Sequence, residues 1–355
     1  MIEDLVRPEL KSFSPYNTNQ LLYRVKLDAN ESPFDLSEEV KRKLADYLLR
    51  VTGLNQYPDT DSIELRKTLA SYWKTDFEGI VIGTGSDQLI QVLISIFAGK
   101  GNRVVCPVPS FSMYEMSTVI AGGTPVELYL DEDNNYSYDP DKIIALANAQ
   151  KAKLVFLCTP NNPTGGIIPI NDIIKIVEGC SQSIVVVDEA YAEFSGETAI
   201  PLTSVFENLV VLRTFSKAYG LAGIRCGYSI SGRGIANELN KIKPPYNISS
   251  LSQFISKLVF EDRETCDNQI SYLIEQREYL TYQLREMGIK VFPSSANFIL
   301  IKLPNSNSIY KELIKRGVLV RSFGSALMLE NCLRISIGKR EQNDIFLGEL
   351  KSILT

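Results

Sequence analysis

Short apolar runs recur between residues 81 and 230, and they are continuous rather than alternating. Arg103–Val108, Pro125–Leu130, Lys153–Cys158, Ile184–Asp188 and Leu209–Thr214 are of this kind. A strand covered on both faces reads this way, whereas a half-exposed strand alternates. Between them, Asp87–Ala98, Ser112–Ala121, Pro140–Ala149 and Ile170–Cys180 carry helical spacing. Strands and helices alternating at this interval predict an α/β fold with a mostly parallel sheet.

The texture changes after Pro244-Pro245. Ser249–Glu286 predicts long helix, with a weak break near Asp262–Asp267. Strands follow near Lys290–Phe292, Phe298–Lys302 and Leu333–Ile337, with a helix over Ser308–Arg316 and a closing helix from Glu341 to Leu354. This is the pattern of a smaller α+β unit. The start of the chain carries Pro8, Pro15 and Pro33 with little periodicity and predicts an arm. The expected organisation is an arm over 1–33, a large domain over 34–248 and a small domain over 249–355, a division that suits a chain of 355 residues.

Composition narrows the chemistry. There is no histidine, which removes Ser-His-Asp and Cys-His catalysis and zinc sites built on imidazole. Acid–base work falls to Lys, Tyr, Asp, Glu or Cys. The net charge is -5 with no long basic run, so neither nucleic acid nor an anionic membrane is the expected partner. No apolar stretch is long enough to span a bilayer. The opening Met1-Ile2-Glu3-Asp4-Leu5-Val6-Arg7-Pro8 does not read as a signal peptide. Six scattered cysteines without a C-x-x-C pair suit a reduced, cytoplasmic compartment.

The richest chemistry lies in Thr214-Phe215-Ser216-Lys217-Ala218-Tyr219-Gly220-Leu221-Ala222-Gly223-Ile224-Arg225, at the end of a predicted strand. Hydroxyls and an arginine around one lysine suit a phosphate beside an amine nucleophile. An ordinary strand–loop junction has the same composition. Gly85, Ser86 and Asp87 sit where a strand becomes a helix, where free amides and the helix dipole favour a phosphate. A plain glycine turn with Ser86 or Asp87 as N-cap reads equally well there. Asp188 ends an Ile-Val-Val-Val run, which puts a carboxylate at the ligand-binding edge of a parallel sheet or merely exposes one at a strand end.

The full lysine string resembles the signature of fold-type I aminotransferases, and within them the histidinol-phosphate branch. Further motifs follow in that family's order: Lys26-Leu27-Asp28-Ala29-Asn30-Glu31-Ser32-Pro33, Gln56-Tyr57-Pro58-Asp59, Gly83-Thr84-Gly85-Ser86-Asp87, Pro109-Ser110-Phe111-Ser112-Met113-Tyr114, Thr159-Pro160-Asn161-Asn162-Pro163-Thr164-Gly165, Val187-Asp188-Glu189-Ala190-Tyr191, Lys243-Pro244-Pro245-Tyr246-Asn247, Ala296-Asn297-Phe298, Val318-Leu319-Val320-Arg321 and Leu333-Arg334-Ile335-Ser336. The resemblance covers essentially the whole chain. It implies an aspartate aminotransferase-like fold, with a seven-stranded sheet in a large domain that binds pyridoxal 5′-phosphate.

The resemblance also implies roles. Lys217 would form the Schiff base and shuttle a proton. Its ordinary pKa of about 10.4 would have to be lowered for that work. Gly85, Ser86, Asp87, Thr214, Ser216 and Arg225 would cup the cofactor phosphate. Asp188 would pair with the pyridine nitrogen, Phe111 stack on the ring, and Asn162 and Tyr191 bond the phenolic oxygen. Tyr57 would reach the phosphate of a neighbouring subunit in a homodimer. Tyr16, Asn30, Arg321 and Arg334 would bind substrate. For Phe111 a core aromatic, and for either arginine a surface ion pair, are the plain alternatives. The implied reaction passes an amino group between histidinol phosphate and 2-oxoglutarate. An aromatic aminotransferase, a threonine-phosphate decarboxylase and the aminotransferase-like domain of a transcription regulator share the architecture.

Overall fold

The computed structural model describes residues 2, 4–11, 13, 22–324 and 326–355. Its strands are β1 Val25–Leu27, β2 Ile80–Gly83, β3 Arg103–Val108, β4 Thr124–Tyr129, β5 Leu154–Cys158, β6 Ile184–Asp188, β7 Leu209–Thr214, β8 Gly227–Ser231, β9 Lys290–Val291, β10 Phe298–Lys302, β11 Val318–Ser322 and β12 Cys332–Ser336. The helices are α1 Glu38–Arg50, α2 Ile63–Trp73, α3 Gly85–Phe97, α4 Met113–Ile120, α5 Pro140–Gln150, α6 Ile170–Gly179, α7 Arg233–Ile242, α8 Ser250–Glu261, α9 Arg263–Glu286, α10 Ser306–Lys315 and α11 Arg340–Leu354.

Seven strands form one sheet in the order β2-β8-β7-β6-β5-β3-β4. Its core from β7 to β4 is parallel, and β8 runs antiparallel to both β7 and β2. The continuous apolar runs have a direct cause, because alternate residues enter two different cores. Val155, Leu157, Val185, Val187 and Val211 face the cluster that holds Ile143 of α5 and Ile173 and Ile176 of α6. Leu154, Phe156, Val186, Val210 and Leu212 face Leu89 and Leu93 of α3 and Leu239 of α7. Each such side chain contributes about 1.5–3 kcal/mol when fully buried.

The second sheet has the order β1-β11-β12-β10-β9. β1, from the segment read as an arm, lies parallel to β11, and the other pairs are antiparallel. Asp262 alone separates α8 from α9, at the break expected in the long helix. Helix starts follow local chemistry. Ser37 accepts from the Val40 amide, Asp139 accepts from the amides of Asp141 and Lys142, and Ser249 accepts from the Ser252 amide. Such a cap is worth roughly 1 kcal/mol. β8 and β11 stand outside the strand pattern read from the sequence, as do α1, α2 and α7. β8 is buried yet carries Ser229 and Ser231, so it lacks an apolar run. Among the described residues no helix is long and apolar enough to cross a membrane.

Candidate active site

The C-terminal ends of β5, β6 and β7 converge with the start of α3 on a cavity of about 490 Å³. Parallel strands present such a crevice at their carboxyl ends, where loops diverge and helix N-termini point inward. Gly85, Ser86, Asp87, Phe111, Asn162, Asp188, Tyr191, Thr214, Ser216, Lys217, Arg225, Asn30, Arg321 and Arg334 all line it. Tyr57 does not. It is 80% exposed and stacks on Tyr246, with ring centroids 4.4 Å apart. Tyr16 lies outside the described residues.

One end of the cavity is built for an anion. The first amides of α3 have no intrahelical partner and carry the positive end of the helix dipole. Gly85 bends the chain into the helix at φ +72°, and a Cβ there would sit 3.0 Å from Nη2 of Arg225. Arg225 donates to Asp87 at 3.2 Å, which keeps its guanidinium over the helix start. Gly227 opens β8 beside this turn, where a Cβ would stand 2.6 Å from the Ser86 amide. Glycine at 227 therefore lets α3 approach the end of β7. Nothing in the sequence pattern distinguished that glycine. On β7, Thr214 Oγ1 accepts from the Ser216 amide at 3.1 Å, so the two hydroxyl residues form one turn beside Lys217.

The floor carries a buried carboxylate. Asp188 accepts from the Tyr114 hydroxyl at 2.6 Å and from the Ala190 amide at 3.1 Å. Burial nevertheless pushes its pKa up to about 6, with the hydrogen bonds working against the rise. Burial pushes the Tyr114 phenol well above its usual value, so it remains a donor. Tyr114 stacks on Phe156 at 4.5 Å and meets the edge of Phe111 at 5.7 Å. The sequence motif that contains Tyr114 assigns it no role of its own, because its partner lies 74 positions away.

Lys217 donates to the Ala29 carbonyl at 3.1 Å, and its ammonium lies 5.8 Å from the Tyr191 ring centre. Burial, then the nearby Arg334 guanidinium, lower its pKa to about 8, while Glu31 and Asp87 oppose the shift. Its free amine is thus accessible near neutral pH. Tyr191 accepts from Asn30 Nδ2 at 3.0 Å. Asn30 is buried at φ +54°, and it also bonds Ser336 and Asn297, so the start of the chain is fastened to the second sheet at the cavity.

Two arginines complete the site. Arg321 and Arg334 stand directly opposite each other on β11 and β12. Like charges so placed repel, and a bound anion relieves the repulsion. Arg334 donates to Asn162 Oδ1 at 2.6 Å and to the Asp28 carbonyl at 2.7 Å, which joins the Asn162 turn to β12. Phe323, Ala326 and Leu329 form an apolar wall next to Arg321 that the sequence did not single out.

The chain and its fold have known counterparts. The family model for aminotransferase class I and II matches residues 24–350. The histidinol-phosphate aminotransferase of Ruminiclostridium cellulolyticum is 52% identical over 99% of both chains. That of Caldanaerobacter subterraneus is 43% identical over the full length of both. Among solved structures, the histidinol-phosphate aminotransferase of Sinorhizobium meliloti, in complex with pyridoxal-5′-phosphate, superposes with a TM-score of 0.89 over 98% of both chains at 24% identity. With a match that runs almost from end to end and a fold shared to that degree, the chain belongs to the aminotransferase class I and II family.

Proposed function

We propose that the chain is a histidinol-phosphate aminotransferase, dependent on pyridoxal 5′-phosphate. It exchanges the amino group of L-histidinol phosphate with 2-oxoglutarate, giving imidazole acetol phosphate and L-glutamate in histidine biosynthesis. The observation that carries this reading is Arg321 opposite Arg334 in the cavity that holds Lys217. One substrate brings a phosphate and the other a second carboxylate. Planar, permanently charged guanidinium groups serve both.

The residues fit the cofactor. The α3 amides, Arg225, Thr214 and Ser216 suit a phosphate, and Asp188 is a buried carboxylate with no cation among its hydrogen-bond partners in the described residues. A protonated ring nitrogen beside Asp188 would return its pKa toward the usual range. Phe111 would stack on the ring, and Asn162 and Tyr191 would bond its phenolic oxygen. When bound, pyridoxal phosphate supplies an electron sink for the carbon that loses its proton. Lys217 holds and moves that proton at Nζ, and burial fits it for this near neutral pH. Arg321 and Arg334 orient the substrate's anionic end, and the wall of Phe323, Ala326 and Leu329 keeps water from its side chain.

We further assign an arm over 1–33, a cofactor-binding domain over 34–248, a small domain over 249–355, and a homodimer working in the cytoplasm. Tyr57 supports the dimer, since it is held on Tyr246 outside its own cavity, available to a neighbour. Two measurements test the reading. Borohydride should fix the cofactor to Lys217, and Lys217→Ala should nearly abolish turnover while some cofactor binding persists. Histidinol phosphate should exceed phenylalanine in kcat/KM, and threonine phosphate should release no carbon dioxide. A preference for phenylalanine or decarboxylation of threonine phosphate would replace the assignment.

A further inference from the structure

The turn that leaves β4 holds an unusual residue. Asn135 and Tyr136 are consecutive left-handed residues, at φ +51° and +58°. A bulky side chain rarely adopts that backbone, and such outliers persist only where their surroundings hold them. Here the surroundings are explicit. The Tyr136 amide donates to the Asp131 carbonyl at 2.7 Å. The side chain is 1% exposed and joins Leu130, Phe292, Leu300, Leu329 and Cys332 in a small apolar cluster apart from the two main cores. Its hydroxyl donates to the Met328 carbonyl at 2.6 Å, 192 positions on. Met328 is itself left-handed at φ +66°.

Two strained turns therefore meet through one hydrogen bond. The second turn carries the apolar wall of the cavity. Leu329, next to Met328, touches both the Tyr136 cluster and the cavity, and Phe323 and Ala326 line the cavity from the same loop. The first turn is anchored at both ends. Glu132 pairs with Lys302 of β10 at 2.6 Å and Lys290 of β9 at 3.0 Å. Tyr138 donates to the carbonyl of Cys158, which lines the cavity floor. Residues 131–138 thus form a strap between the floor of the cavity and its wall.

We propose that Tyr136 is a positioning residue for substrate selection, whose hydroxyl pins the Met328 carbonyl and so fixes where Leu329, Ala326 and Phe323 meet the substrate side chain. This rests on the functional reading above for the identity of the substrate, but not for the mechanics of the loop. Burial holds the phenol above its usual pKa, so it remains a donor throughout the working range. Tyr136 is not among the residues that line the cavity, so its loss acts on recognition rather than on chemistry.

The test is Tyr136→Phe, which keeps the ring in the cluster and removes one hydroxyl. One neutral hydrogen bond predicts a rise of about two- to tenfold in KM for histidinol phosphate with kcat held within about twofold. Hydrogen exchange of the holoenzyme should quicken in the Ser322–Asn331 peptide and stay unchanged in the Thr214–Arg225 peptide. An unchanged KM overturns the proposal even if thermal stability falls. Exchange that quickens everywhere, or a kcat that falls with the KM change, also overturns it, because the role is then general support. Should the wild-type protein not transaminate histidinol phosphate, the functional reading fails. The exchange comparison, which needs no substrate, still decides whether Tyr136 holds the loop.

Discussion

The Tyr114 hydroxyl donates a 2.6 Å hydrogen bond to Oδ2 of Asp188, and both groups are buried beneath the cavity. Burial alone would hold Asp188 protonated to still higher pH, and this bond restrains that rise. Tyr114→Phe keeps the ring on Phe156 and removes the donor. Asp188 then protonates at higher pH, so the acid limb of the kcat/KM profile moves upward. A hydrogen bond to a charged group is worth about 1.5–3 kcal/mol, or roughly ten- to a hundredfold in kcat/KM. The loss should be larger on the acid side of neutrality. A profile superimposable on that of wild type would reduce Tyr114 to a space-filling residue.

Asp188 also sets a pH dependence of stability in the cofactor-free protein. Its folded pKa of about 6 lies above the usual 3.8, so the fold favours the protonated form. That contribution is fully present below the usual value and is lost as pH rises through about 6. Above that pH the carboxylate costs on the order of 2–3 kcal/mol. Asp188→Asn removes the charge. The variant apoprotein should therefore have a higher urea midpoint than wild type at alkaline pH and a matching one in acid, with the slope unchanged. Its turnover with cofactor should fall sharply. A variant less stable than wild type at alkaline pH would contradict the assigned cost.

Tyr57 offers a test of the shared site. Mixing Tyr57→Phe subunits with Lys217→Ala subunits should give heterodimers in which one cavity carries both lesions and the other carries neither. Activity should recover on mixing toward half that of wild type per heterodimer. No recovery, with heterodimers present by mass, would assign Tyr57 to its own subunit.

Arg321 separates phosphate recognition from general structure. Arg321→Ala should cost about ten- to a hundredfold in kcat/KM for histidinol phosphate, the equivalent of one charge-assisted bond. Phenylalanine, which has no phosphate, should lose less. Equal losses on both would make Arg321 a structural residue of β11.

Much of the large sheet was legible because its strands enter two cores. Ile184–Asp188 and Leu209–Thr214 have the limits that their apolar runs predict. The lysine turn and the α3 entrance were legible as chemistry, since hydroxyls, glycines and charges cluster there within a few positions. What escaped depends on distance or on small residues. Tyr114 acquires its role only when β6 is folded against α4. Gly227 matters because the α3 amides approach it, and a lone glycine carries no sign of that. β8 is polar in sequence and buried in fact, because the small side chains of Ser229 and Ser231 suit a crowded place. α1 does carry helical spacing in Val40, Leu44, Tyr47 and Leu48, but only Val40 is fully buried, so its apolar stripe is short and shallow.

The parallel pairing of β1 with β11 carries a consequence for synthesis. Asn30 emerges early from the ribosome, and its partner Ser336 lies 306 positions later. At about 5–20 residues per second, the leading strand waits roughly 15–60 s for its neighbours. The large sheet can assemble during that interval, but the tie that Asn30 makes between the start of the chain and the second sheet cannot. Catalytic competence therefore arrives with the last tenth of the chain, and a nascent polypeptide stalled before β12 would leave a bare strand open to pairing with other molecules.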